Sequence, residues 1–101
     1  MTDADKALFL VVTIRPKLDR LAEAEAQLHR MRAASLQEAG CVFMHLMQAV
    51  DGATDTWTMI EQFTSRAAWD EHMETRHNVE GNLKLTDLLR EPSELRLYRE
   101  K

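Results

Sequence analysis

The sequence predicts an α+β fold, a four-stranded antiparallel sheet with its helices on one face, in the order β-α-β-β-α-α-β. Three observations carry this. Strand-like and helix-like hydrophobic periodicities alternate along the chain. Two of the strand-like stretches, Cys41 to Val50 and Thr56 to Thr64, flank the turn Asp51-Gly52-Ala53-Thr54-Asp55, which makes them an antiparallel hairpin. The chain's 101 residues, 45% hydrophobic and 30% charged, make one folded domain, so the sheet and its cover come from the same short chain.

Each element has its own local cause. Leu8-Phe9-Leu10-Val11-Val12-Thr13-Ile14 is short, apolar and rich in β-branched residues, as a strand is. Pro16 suits the first turn of a helix. Beyond it Leu18, Leu21, Ala24, Leu28, Met31 and Ser35 recur every three or four residues, while Asp19, Arg20, Glu23, Gln27 and Arg30 mostly take the other side. This is an amphipathic helix of about five or six turns, with Gly40 as its stop. After the hairpin, Thr64 or Ser65 caps a helix from Arg66 to about Arg76. A second helical stretch runs from Val79 to Leu89, and Glu91-Pro92-Ser93 breaks it. Glu94-Leu95-Arg96-Leu97-Tyr98 alternates polar and apolar residues, the pattern of an edge strand with one buried face. The ferredoxin-like arrangement accommodates this order.

The sheet's second face needs cover as well. The first strand does not alternate at all. The second sets Cys41, Phe43 and Met47 on one side and Val42, Met44 and Leu46 on the other. The third sets Trp57, Met59 and Phe63 on one side, with Ile60 among Thr58 and Gln62 on the other. A large exposed apolar face marks a contact, so a homodimer through the sheet is expected.

Composition excludes several classes. Thirteen basic against seventeen acidic residues give a net charge of −4, which opposes phosphate neutralisation and so nucleic-acid binding. The strands also lack the aromatic signature of an RNA-binding sheet. The single cysteine, Cys41, excludes an intrachain disulfide framework, and no Cys/His cluster has structural-zinc spacing. No apolar run reaches the roughly 18 residues of a membrane span. The polar start, Met1 to Lys6, is the wrong start for a signal peptide, so a cytoplasmic location without membrane attachment is expected.

Four stretches, in order, carry a family resemblance. Ile14-Arg15-Pro16-Lys17 joins the first strand to the long helix. Glu38-Ala39-Gly40-Cys41 is close to a Glu-Pro-Gly-Cys turn. Trp57-Thr58-Met59-Ile60-Glu61-Gln62-Phe63 is similar to a strand ending in Glu-Glu-Trp. Ala67-Ala68-Trp69-Asp70-Glu71-His72-Met73-Glu74-Thr75-Arg76-His77 holds two histidines five residues apart after an Ala-Leu-like pair. Together, over about residues 8–98, they resemble the antibiotic biosynthesis monooxygenase (ABM) domain family of dimeric α/β-barrel proteins, which includes quinol monooxygenases. Four positions depart from the family pattern: Lys17 for glycine, Ala39 for proline, Phe63 for tryptophan and Asn78 for phenylalanine.

The resemblance implies a cofactor-independent oxidation of a quinol or polycyclic phenol by dioxygen, without metal or flavin. It makes His77 and His72 the candidate bases, since histidine can take a phenol's proton near neutral pH. Their five-residue spacing turns about 140° on a continuous helix, which argues against a metal held by this pair alone. Helix-terminal histidines that cap carbonyls or sit in solvent are the other reading. Trp57, Met59, Glu61 and Trp69 are the candidate pocket wall by resemblance, with plain core as the alternative. His45, among apolar neighbours, lines either the pocket or the subunit interface, or is a satisfied core histidine. His29 lies among polar residues and is solvated. Glu61 can orient a histidine, accept a substrate hydroxyl, or pair with Arg15 or Arg96. Cys41 has no base beside it and is a small buried hydrophobe.

Three other functions stay open: a small-molecule-binding dimer without turnover, an isomerase-type relative and a haem-degrading relative. The last needs a strand asparagine, a tryptophan where His72 stands and an iron-ligating histidine where Asn82 stands, and the sequence lacks all three.

Overall fold

The computed structural model describes residues 6–101. The polar start, Met1 to Asp5, on which the signal-peptide argument rests, lies outside the described residues. The elements are β1 (Leu8–Ile14), α1 (Leu21–Ser35), β2 (Cys41–Gln48), β3 (Trp57–Phe63), α2 (Arg66–Glu74), α3 (Arg76–Thr86) and β4 (Glu94–Tyr98). The strands form one antiparallel sheet in the order β2-β3-β1-β4, which is the ferredoxin-like topology. None of the described helices is long and apolar enough to cross a membrane.

Strand pleat decides which residues meet the helices. Leu10 and Ile14 of β1 face them, as do Trp57, Met59, Glu61 and Phe63 of β3, all buried. Ala24 and Leu28 of α1 and Leu85 of α3 close the core over this face. Phe63 is fully buried, while the alternate residues Thr58, Ile60 and Gln62 are only partly covered. β4 pairs only with β1 and is the edge strand expected, but Leu95 and Leu97 stay 44% and 37% exposed, so neither of its faces is covered.

Three further expectations need correction. In β2 the pairing slips between Cys41 and Phe43, opposite Phe63 and Gln62. This bulge inserts Val42 as an extra residue and reverses the alternation. Cys41 therefore shares the inner face with Met44 and Leu46, while Phe43, His45 and Met47 face outward. Pro16 does not open a helix. It is buried in an isolated bridge with Leu89, flanked by bonds from Lys17 N to Leu88 O (2.8 Å) and from Arg90 N to Arg15 O (2.9 Å). With residues 15–17 fixed against the chain after α3, α1 starts at Leu21 and has 15 residues, about four turns. Gly40 does not stop α1 either, since the helix ends at Ser35. A Cβ at Gly40 would lie 2.5 Å from the Ala68 Cβ, so glycine is what lets α2 lie against the start of β2.

Ser65 caps α2, its hydroxyl accepting from Ala68 N at 3.1 Å. Thr75 then separates α2 from α3. Its backbone is extended (ψ 148°), its hydroxyl donates to His72 O at 2.7 Å, and it accepts from Asn78 N at 3.3 Å. One threonine thus ends one helix and starts the next, and the chain changes direction between His72 and His77.

Candidate functional site

An apolar cavity of about 250 Å³ lies between the sheet and the helices. Its floor is Leu10, Val12 and Met59, and Met31, Met73 and Leu85 close it from the helices. Polar groups are few: Glu61 from β3, His72 from α2, Asn78 and Asn82 from α3, Ser35 from α1, and Ser93 before β4. Several of them are tied down, as Asn82 Nδ2 donates to Asn78 O and Oδ1 at 2.9 and 3.0 Å, Asn78 Nδ2 donates to Met73 O at 3.4 Å, and Ser35 donates to Met31 O at 2.8 Å. An apolar hollow with a few placed polar groups suits a small, flat organic ligand.

Glu61 is 8% exposed and has no protein hydrogen-bond partner among the described residues. Burial, and then the charge of Glu38, push its carboxyl up to about 7. A carboxyl raised in this way can hold its proton near neutral pH, and so can either donate to or accept from a ligand. The ion pairs considered for it do not form. Arg15 instead meets Glu94 at 3.0 Å and Glu91 at 3.6 Å, and Arg96, at the register position of Val11, points away on the outer face.

His72 is buried against Phe63, their ring centroids 4.9 Å apart. Its Nδ1 lies 2.8 Å from Glu38 Oε2, and the same oxygen lies 2.7 Å from His77 Nε2. An ionised carboxylate oxygen only accepts, so both nitrogens facing it carry protons. In neutral His72 that leaves Nε2 as the acceptor, on a ring that reaches the cavity wall.

The break at Thr75 brings together two histidines that a continuous helix would have splayed, so the 140° argument does not apply to them. The other candidates are distributed as follows. Met59, Glu61, Trp69 and His72 line the cavity. Trp69 also lies under Arg66, whose guanidinium carbon is 4.9 Å from the ring centroid. Trp57 is on the inner face but buried in the core beyond the cavity. His77 opens on a separate outer groove with Arg30, Glu80 and Lys84. His45 does not line the cavity, because the β2 bulge leaves it outward and exposed, stacked on Phe43 with centroids 4.9 Å apart. His29 is exposed, and Cys41 is buried, with burial and Glu38 pushing its thiol up to about 11.

Sequence reasoning missed Glu38 as a site residue. The signal was present: a carboxylate two residues before a glycine that admits the histidine-bearing helix. Asn78 and Asn82 were missed as lining residues because their approach depends on the helix break.

Several solved structures share the architecture. A conserved protein from Methanosarcina mazei Go1 superposes with a TM-score of 0.89 at 22% identity, over 98% of this chain and 97% of its own. A Pseudomonas aeruginosa protein gives 0.84 at 25% identity, over 99% of each chain. A structure described as an antibiotic biosynthesis monooxygenase gives 0.84 at 18% identity, over 93% of this chain and 98% of its own. No curated protein shows a significant match to the sequence. The family model of antibiotic biosynthesis monooxygenases, ABM, matches residues 7–82, three quarters of the sequence, from β1 into α3, and the chain belongs to that family.

Proposed function

We propose that the chain is a monooxygenase that oxidises a quinol or polycyclic phenol with dioxygen and needs no cofactor, with His72 as its base. The supporting observation is the Glu38–His72 hydrogen bond, which leaves Nε2 as proton acceptor on a ring at the wall of an apolar cavity. Glu38 is a positioning residue in this reading, and His77 holds Glu38 from outside the cavity. Glu61 faces a second oxygen of the ligand.

The proposed steps balance with dioxygen as the sole oxidant. His72 Nε2 takes the phenol proton. The phenolate gives one electron to dioxygen, and the resulting radical and superoxide combine as a carbon–oxygen bond at a ring carbon bearing hydrogen. His72 returns its proton to the peroxide. The carbon's hydrogen and the terminal hydroxyl then leave as water, which breaks the O–O bond and leaves the quinone. The protein contributes deprotonation, orientation and a dry cavity.

The same proposal pairs two copies through the outer sheet face. Phe9, Val11, Phe43, Met47, Ile60 and Tyr98 share that side, and Met47 and Tyr98 are 50% and 48% exposed in the single chain. It also keeps the chain in the cytoplasm, a location that suits a free, buried Cys41.

The test is dioxygen uptake with chelator present, across hydroquinones and hydroxylated naphthalenes, with autoxidation subtracted. We expect a protein-dependent rate that falls at least about a hundredfold in His72→Gln, the scale of a lost general base. An undiminished rate in that variant overturns His72 as base. Saturable binding without uptake by the wild type overturns the monooxygenase and leaves a binding protein.

A further inference from the structure

The cluster beside the cavity has a second chemistry. Glu38 Oε2, His72 Nδ1 and His77 Nε2 all lie within 4.8 Å of one another. Two imidazole nitrogens and a carboxylate oxygen are a donor set that Zn²⁺ takes, at about 2.0–2.2 Å from the ion. Around a tetrahedral ion with such bonds, ligand atoms stand about 3.3 Å apart. Glu38 Oε2 must therefore draw back by roughly 0.5 Å from each nitrogen, and the two nitrogens, within 4.8 Å of one another, must close by up to about 1.5 Å. Glu38 sits in the turn between α1 and β2, and each imidazole turns about its own side-chain bonds, so the adjustment is shared by three side chains.

Charge and access favour a cation. The ion-pair partners of Glu38 among the described residues are the two imidazoles, with neither lysine nor arginine beside it. Its side chain is only 18% exposed, so its charge is poorly screened by solvent. His77 is 31% exposed and opens on the outer groove, a route for ion and water that does not pass through the substrate cavity.

We propose that Glu38, His72 and His77 form a three-ligand site for a Zn²⁺-type divalent cation, with water in the fourth position. The ion also has a predictable effect on the cavity. A metal on His72 Nδ1 moves the ring proton to Nε2, which turns that nitrogen, on a ring at the cavity wall, from acceptor into donor. Zinc therefore switches off the proposed base. This consequence rests on the monooxygenase reading, whereas the binding itself does not.

The experiment is calorimetric titration of chelator-treated, dialysed protein with Zn²⁺, repeated with Co²⁺ followed by its visible absorption. We expect one equivalent per chain, a tetrahedral-type Co²⁺ spectrum, and binding weakened at least about tenfold in His77→Ala and in Glu38→Gln. His29→Ala, at an exposed position away from the cluster, leaves the titration unchanged. No stoichiometric binding, or binding equal in wild type and both variants, overturns the site. Circular dichroism of each variant confirms that it is folded. Oxygen uptake in chelator is measured on the same samples, so failure of the zinc site and failure of the monooxygenase reading give different results.

Discussion

Gly40→Ala tests the contact that sets the histidine helix against the sheet. The new Cβ would stand 2.5 Å from the Ala68 Cβ, whereas carbon atoms rest at about 3.5–4.0 Å. Relief therefore requires roughly 1 Å of displacement. Neither partner is a flexible side-chain end: one carbon is on the backbone turn, the other on the first turn of α2. The movement must be of α2 itself, which carries Trp69 and His72. Overpacking of this kind costs about 1–3 kcal/mol. Removing the opposing methyl should restore the fit, because the next atoms met, Thr64 Oγ1 at 3.4 Å and Ala68 Cα at 3.5 Å, are at ordinary contact distance. Ala68→Gly alone costs about 1 kcal/mol of helix propensity. The assay is urea unfolding of wild type, both single variants and the double variant at one protein concentration. The double variant should be at least as stable as Gly40→Ala, with a coupling of about 1 kcal/mol or more. Losses that add within about 0.5 kcal/mol would refute the steric account.

Three other substitutions and conditions follow from the same reasoning. Gly81→Ala should change stability by no more than about 1 kcal/mol in the same urea assay, since its Cβ meets only the flexible Met31 side chain, Cγ at 2.8 Å and Cε and Sδ at 3.0 and 3.1 Å, and the gain in helix propensity offsets the rearrangement of that side chain; a loss above about 1 kcal/mol would contradict this. Glu61→Gln should be more stable than wild type at pH 8 by roughly 2–3 kcal/mol, because folding raises the carboxyl from 4.5 to about 7, so at pH 8 it must carry in a buried site a charge that the unfolded chain carries in water. That advantage should shrink as pH falls through 7 towards 4.5, and a pH-independent difference would exclude burial of the charge as its cause. Cys41, with its thiol raised to about 11, should react with iodoacetamide at pH 8 at least about a hundredfold more slowly in native protein than in urea; equal rates would show an accessible thiolate.

The architecture was legible because periodicity and turn chemistry agree along most of the chain. The β1 run, the hairpin across Gly52, the Ser65 cap and the β4 edge all follow from local signals. What local signals could not supply was a residue count against a partner. The β2 bulge is a mismatch of one residue between two strands, and it moved His45 away from the cavity and Cys41 into the core. Pro16 looked like a helix start because its pairing with Leu89 lies 73 positions away in the chain. The site was legible in part. Of the expected wall residues Met59, Glu61 and Trp69 line the cavity and Trp57 and His45 do not, and His72, expected as a base, lines it too, but the Glu38 link depends on how closely α2 approaches Gly40. Thr75, an N-capping residue between the histidines, was the available hint that their helix is interrupted.

The central claim is that His72, held by Glu38, takes a proton from a bound phenol. It is tested most directly without oxygen, by recording the absorption spectrum of a hydroxylated naphthalene bound to chelator-treated protein across pH. The account predicts a phenolate band in wild type at a pH at least about one unit below that of the free ligand, absent from His72→Gln and weakened in Glu38→Gln. A bound ligand that ionises as it does in water, or identically in all three proteins, would contradict it.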